Sequence, residues 1–123
     1  MLPNLCDKAD WCLLIHGKYV ELILAGKKTW EVRPLSLFKK GERIALGNTD
    51  SKCVVAYATV CKIKKMTVAE MKQHNDKHFA NEFIDKHWKD RPFVYAHVLA
   101  EVEPLNQKLT YPRSYGSPKV RLR

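Results

Sequence analysis

The sequence predicts an α+β fold: five to six short strands curled into a mixed β-barrel, flanked by about three short helices. Three observations carry that expectation. Alternating or β-branched runs recur along the chain, turn residues separate most of them, and helical spacing is confined to two regions. Strands this short, joined mainly by turns, favour a small barrel over a doubly wound parallel sheet. The length of 123 residues suits a single domain. A composition of 46% hydrophobic and 28% charged residues is not that of a disordered chain.

Residues 1–10 read as an N-terminal extension and residues 11–123 as the domain. WCLLIH at 11–16 is a nearly continuous apolar run, the pattern of a buried strand. In KYVELILAG at 18–26, Tyr19, Leu22 and Ile23 recur at helical spacing, and Gly26 stands where a helix end takes a left-handed residue. TWEVRP at 29–34 alternates, with Thr29, Glu31 and Arg33 on one side, Trp30 and Val32 on the other, and Pro34 as the stop. RIALGN, from Arg43, predicts a further strand, and Asn48-Thr49-Asp50-Ser51 a turn. CVVAYATVCKIKKM at 53–66 suits a central strand.

Thr67 and Glu70 have the spacing of a capping box that opens a helix. A second helical stretch carries Phe79, Phe83, Ile84 and Trp88 as one apolar stripe, expected in the core rather than as a base-stacking platform, and Pro92 ends it. FVYAHVLAEVEPL at 93–105 alternates again, with Val94, Ala96, Val98, Ala100 and Val102 sharing a face. VRLR at 120–123 predicts a last edge strand.

Charge supplies the first functional indication. Lys and Arg number 22 against 13 Asp and Glu, a formal charge of +9 that favours a polyanionic partner. No apolar run approaches the roughly 20 residues of a membrane span, and the N-terminus lacks a cationic start followed by an apolar stretch. An intracellular location, cytoplasmic or nuclear, with reduced thiols and no membrane association is therefore expected. Cys6, Cys12, Cys53 and Cys61 do not have finger or ribbon spacing, so no metal site and no cofactor are expected. His74 and His78 stand four apart but lack an accompanying acidic motif. They are expected, with His87, to be exposed among lysines.

The densest group of chemistry-bearing residues is GKKTWEVR at 26–33. Alternation gives Thr29, Glu31 and Arg33 one strand face, and Lys28 enters just before them. Arg33 can fork onto phosphate or a base edge, while Lys28 is a point charge suited to phosphate or proton transfer. A solvated strand face on which Glu31 merely pairs with a cation fits the pattern equally well.

In order, CLLIHGKYVELILAGKKTWEVRP, KGERIALGN, VVAYATVCKIKKMT, RPFVYAHVLAEVEPL and YPRSYGSPKVRL resemble the ASCH domain family, relatives of the PUA-like barrels. The resemblance runs over nearly the whole chain from Trp11, and the helix–Gly–Lys–Thr–x–Glu–x–Arg segment is its most specific part. It implies a PUA-like barrel that binds RNA, single-stranded or modified, or a nucleotide in one basic cleft. DNA, or a protein partner in a coregulator-type role, are the other partners it allows. Lys28, Thr29, Glu31 and Arg33 would line the cleft with Lys27 beside them, and Lys18 and Tyr19 would sit near its mouth. Tyr95 and His97 would flank it, and Tyr111, Arg113 and Ser114 would close it.

Some members of the family are enzymes, including ribonucleases and amidohydrolases that deacetylate a modified cytidine with a Lys, a Thr and a Glu. The lysine matches Lys28. Glu31 stands where the threonine belongs, Thr29 is a poor substitute, and the third member corresponds to Glu70 or Glu82. A hydrolase acting on RNA or acetylated cytidine, with Lys28 and Glu31 as acid/base residues, is thus the alternative to binding. It requires burial to lower the Lys28 pKa or to raise that of Glu31. A Glu beside two cations instead has its pKa pushed down and acts as an acceptor, able to read the exocyclic amine of cytosine or adenine.

Overall fold

The computed structural model describes residues 8–122; Cys6, most of the expected 1–10 extension and Arg123 lie outside the described residues. The chain runs β1 (Trp11–Ile15), α1 (Gly17–Leu24), β2 (Trp30–Arg33), β3 (Arg43–Asn48), β4 (Cys53–Met66), α2 (Val68–Lys72), α3 (Asn75–His78), α4 (Asn81–His87), β5 (Val94–Thr110) and β6 (Lys119–Arg121). Six strands form one mixed sheet in the order β2-β5-β4-β3-β1-β6, curled into a half-barrel with four short helices around it. No described helix is long and apolar enough to cross a membrane.

The curl originates in the two long strands. Register shifts between Val54 and Ala56, Tyr57 and Thr59, and Val60 and Lys62 put extra residues into the β4–β5 ladder. Each such bulge bends and twists the pair. Glu101 in β5 adopts a left-handed φ of 52° in this stretch. The alternation expected for 93–105 breaks at this bend, because Leu99 turns into the core while Glu101 is exposed. The strand then continues past 105 to Thr110, which pairs with Cys53.

β1 is parallel to β3 and antiparallel to β6. Its apolar run is explained by burial on both faces. Leu13 and Ile15 join Ile44, Leu46, Val60 and the Tyr19-Val20-Ile23 face of α1 in the barrel core. Cys12 packs outward with Ala45, Val54, Tyr57 and Val120. There it is a small hydrophobe whose thiol is pushed up to about 12 by burial.

α1 ends at Ala25, and Gly26 takes the left-handed conformation at φ 77°. The amides of Lys27 and Lys28 both return to the Leu22 carbonyl, at 3.0 and 3.1 Å, which folds Lys28 back against the helix end.

The capping box at Thr67 forms: its side chain accepts from the Glu70 amide, and the Glu70 carboxylate accepts from the Thr67 amide. The single apolar stripe expected beyond it does not. The chain breaks into α3 and α4, with Phe79 left-handed at φ 57° and 36% exposed. His78 explains the break. Its ring is buried, contrary to the exposed histidines expected, and accepts from the Ala80 amide at 2.9 Å through Nδ1 while Nε2–H donates to the Met71 carbonyl at 2.7 Å. A side chain thereby makes bonds that a continuous helix would make along its backbone. Ile84 and Met71 do enter a core, with Trp30, Val32, Val94 and Ala96.

Candidate nucleotide-binding cleft

β2 is buried on both faces, so the Thr29/Glu31/Arg33 side is not the solvated surface that alternation allows. Lys28 is only 2% exposed and Glu31 only 6%. The Lys28 ammonium donates to the Trp30 carbonyl at 2.7 Å, to the His78 carbonyl, and to Glu31 Oε1 at 3.0 Å. An ammonium has three donors, and all three are engaged. Glu31 Oε2 accepts from Arg33 Nε at 3.1 Å and Nη2 at 2.6 Å. Arg33 Nη2 also donates to the Leu14 carbonyl of β1 at 2.8 Å, tying the two margins of the curled sheet together.

Opposed effects set the charges of this cluster. Burial alone would raise the Glu31 pKa, but the charges of Lys28 and Arg33 and the hydrogen bonds from both hold it down to about 2. Burial lowers the Lys28 ammonium below the ordinary lysine range, with Arg33 adding to the effect and Glu31 working against it. Behind Glu31 lies His97, fully buried, its Nδ1–H donating to the Glu31 carbonyl at 3.1 Å while Nε2 accepts from the Leu37 amide at 3.1 Å. Both ring nitrogens are used by the neutral tautomer, and burial keeps the imidazole below the usual histidine range.

Above the cluster opens a small cleft of about 110 Å³. Lys28, Glu31 and Arg33 form its floor, and Phe83 and Trp88 form one wall. His16, Tyr19 and Thr49 border it on the other side. The Phe83 and Trp88 rings meet edge-on at 4.9 Å, with His87 against the other side of Phe83 at 4.3 Å. His16 lies 6.2 Å from Phe83, and its Nδ1 is 3.5 Å from the Thr49 hydroxyl. A planar, partly apolar group with polar edges suits this space: rings for its faces, and charged groups at the end for its edges.

Of the residues expected in the cleft, Tyr19, Lys28, Glu31 and Arg33 meet there. Lys18 lines an adjoining cavity instead. Thr29 precedes β2, half-buried, with its amide donating to the Lys77 carbonyl. Lys27 is exposed on the turn, and Tyr95 pairs with Arg33 across β2 and β5 without lining the cleft. His97, although paired with Glu31 across β2 and β5, does not line the cleft; its ring is buried between the Glu31 carbonyl and the Leu37 amide. Tyr111, Arg113 and Ser114 do not close it either. They surround a separate cavity with Lys52 and Tyr115, where the chain enters β6.

Glu70 is spent on its cap, and Glu82 faces the adjoining cavity. His74 lies against the Trp30 ring at 5.0 Å. Among the described residues, no three His, Cys, Asp or Glu side chains come together as a metal site would require.

His16, Thr49, Phe83 and Trp88 are the cleft residues that pattern reading missed. Phe83 and Ile84 are consecutive, so one helix face cannot bury both; Ile84 takes the core and Phe83 the cleft. Thr49 reaches His16 only because parallel pairing sets Ile15 beside Asn48, with the Thr49 amide donating to the Ile15 carbonyl at 2.9 Å.

A curled mixed sheet of this topology with a cleft at the β1–α1–β2 corner defines a PUA-like half-barrel. The ASCH domain family model matches residues 13–110, and the chain belongs to that family, which is generally linked to RNA binding. Crystal structures of ASCH from Zymomonas mobilis share the fold. One superposes with a TM-score of 0.79 at 18% identity, covering 92% of this chain and 87% of that one. A single-substitution variant of the same protein gives a TM-score of 0.81 at 17% identity, covering 99% of this chain and 92% of that one. No curated protein matches the sequence.

Proposed function

We propose that the protein binds RNA, single-stranded or modified, or a nucleotide, by seating one base in this cleft. The carrying observation is a cleft lined both by aromatic rings and by a buried carboxylate that two cations keep ionised. Phe83 and Trp88 offer ring faces and edges to a base, and base–aromatic stacking contributes about 1–3 kcal/mol. Glu31 can accept the exocyclic amine of cytosine or adenine with the one lone pair, on Oε1, that Lys28 and Arg33 leave unused. The formal charge of +9 supplies the sequence-independent attraction for phosphates.

The same geometry weighs against Lys28 and Glu31 as acid and base. A general base needs an accessible proton site near neutral pKa. Lys28 has every donor occupied, and Glu31 is held near 2. If the protein is instead a hydrolase, the His16–Thr49 pair at the cleft border is the better placed chemistry.

The test puts end-labelled single-stranded RNA on native and denaturing gels, with double-stranded DNA as competitor. The expected result is a salt-sensitive shift of intact probe, weakened roughly tenfold by Phe83→Ala or Trp88→Ala, in line with the loss of one stacked base. Shortened probe, or deacetylation of N4-acetylcytidine followed by mass, would establish the hydrolase instead. No shift and no cutting would remove RNA as the ligand.

A further inference from the structure

We propose that the cavity adjoining the cleft is a ribose–phosphate subsite, which makes the protein a binder of ribonucleotides over free nucleosides and over deoxyribonucleotides. This inference rests on the cleft being a nucleobase site. The two cavities share His16, Tyr19 and Phe83, so a base lying against Phe83 would leave its sugar at the junction and its phosphate in the second cavity.

The side chains there suit that division. Lys18 comes from the first turn of α1, leaning over the Tyr19 ring at 4.9 Å, and Lys86 comes from α4. Among the described residues neither lysine is in an ion pair. Two unpaired ammonium groups from two helices lining one cavity can serve a single phosphate group.

Asp50 and Glu82 also face this space, and neither carboxylate is in an ion pair. A lining of both signs is not a general polyanion surface. It fits a ligand that carries an anion and hydroxyl donors together, and vicinal ribose hydroxyls are such donors. Asp50 is the better positioned of the two. Its amide donates to the Asn48 side chain at 2.8 Å, and its carboxylate lies against Gly17, where any β-carbon would collide with it. The carboxylate thereby sits against Gly17 at the start of α1, in the lining of the second cavity. An acceptor there distinguishes ribose from deoxyribose through the 2′-hydroxyl.

Calorimetric titration of the full chain tests this with cytidine, its 3′- and 5′-monophosphates, 2′-deoxycytidine 5′-monophosphate, and the matching adenine series. In one of the two series, a monophosphate is expected to bind about tenfold tighter than its nucleoside. That advantage should shrink in high salt and in the Lys18→Ala/Lys86→Ala double variant. The ribonucleotide should outbind its deoxy counterpart, and Asp50→Ala should narrow that ratio, which a purely structural role for Asp50 would leave unchanged. Nucleosides binding as tightly as their monophosphates would overturn the subsite while leaving the base cleft standing. An advantage that survives the double variant would do the same. If none of these ligands binds, the base cleft and the subsite fall together.

Discussion

Glu31 shows how two cations can keep a carboxylate ionised inside a protein. Its folded-state pKa of about 2 lies below the ordinary 4.5. Because the shift is downward, its stabilising contribution is complete above about 4.5 and disappears as pH falls towards about 2. Urea-unfolding midpoints measured from pH 7 down to 2 should therefore drop across that interval, and Glu31→Gln should flatten the drop. At pH 7 the same substitution is expected to cost roughly 3–5 kcal/mol, because it leaves buried cations without their partner. An unchanged acid profile in Glu31→Gln would show that other carboxylates govern it.

His78 and His97 act in a higher pH range. Burial lowers both below the ordinary 6.5, so each favours the fold in its neutral form, and that contribution is lost as pH falls below about 6.5. At pH 7.5, nitrogen chemical shifts should report both rings as neutral. His97 is expected as the Nδ1–H tautomer and His78 as the Nε2–H tautomer, in keeping with their carbonyl partners. A protonated pattern on either ring would contradict the hydrogen-bond assignment.

Among the elements, β2 and the β1–β6 margin meet at a seam. The half-barrel is joined there by side chains: Arg33 reaches the Leu14 carbonyl, and Lys119 reaches the Leu37 carbonyl at 2.7 Å with its ammonium 4.1 Å from the Trp11 ring centroid. Arg33→Lys keeps the charge but not the fork, so one ammonium cannot reproduce both bonds to Glu31 and the bond to Leu14. A loss of about 2–3 kcal/mol is expected in urea unfolding, since hydrogen bonds to charged groups contribute about 1.5–3 kcal/mol each. Faster amide exchange in β1 and β2 than in β4 should accompany it. Equal protection throughout would place the closure elsewhere.

At this scale the sequence was most legible. β3 and β4 fall at the expected 43–48 and 53–66, and the Thr67 cap opens α2 as expected. Periodicity failed where a buried group or a bulge overrode it: at His78, which divides the helical stretch, and at Leu99, where the β5 bend exchanges faces.

Over the whole molecule, charge and shape divide the work of binding. RNA affinity should fall with salt in the parent protein. Phe83→Ala should weaken it with the salt slope unchanged, because stacking releases no counterions. The Lys18→Ala/Lys86→Ala variant should reduce the slope itself, by up to about two phosphate contacts. Filter-binding titrations across a salt series measure both quantities. A lower slope in Phe83→Ala would mean that its loss displaces the phosphates as well.

The sequence by itself determined the barrel class, most strands, the family and the Lys28–Glu31–Arg33 cluster, because these rest on spacing within short segments. Only the tertiary structure decided that Glu31 is buried and ionised, that His97 is buried outside the cleft lining, and that Phe83, Trp88, His16 and Thr49 join it. Periodicity reports which face of an element is apolar. It does not report which distant element supplies the other wall, and in this protein parallel β1–β3 pairing and the α3–α4 break supply it.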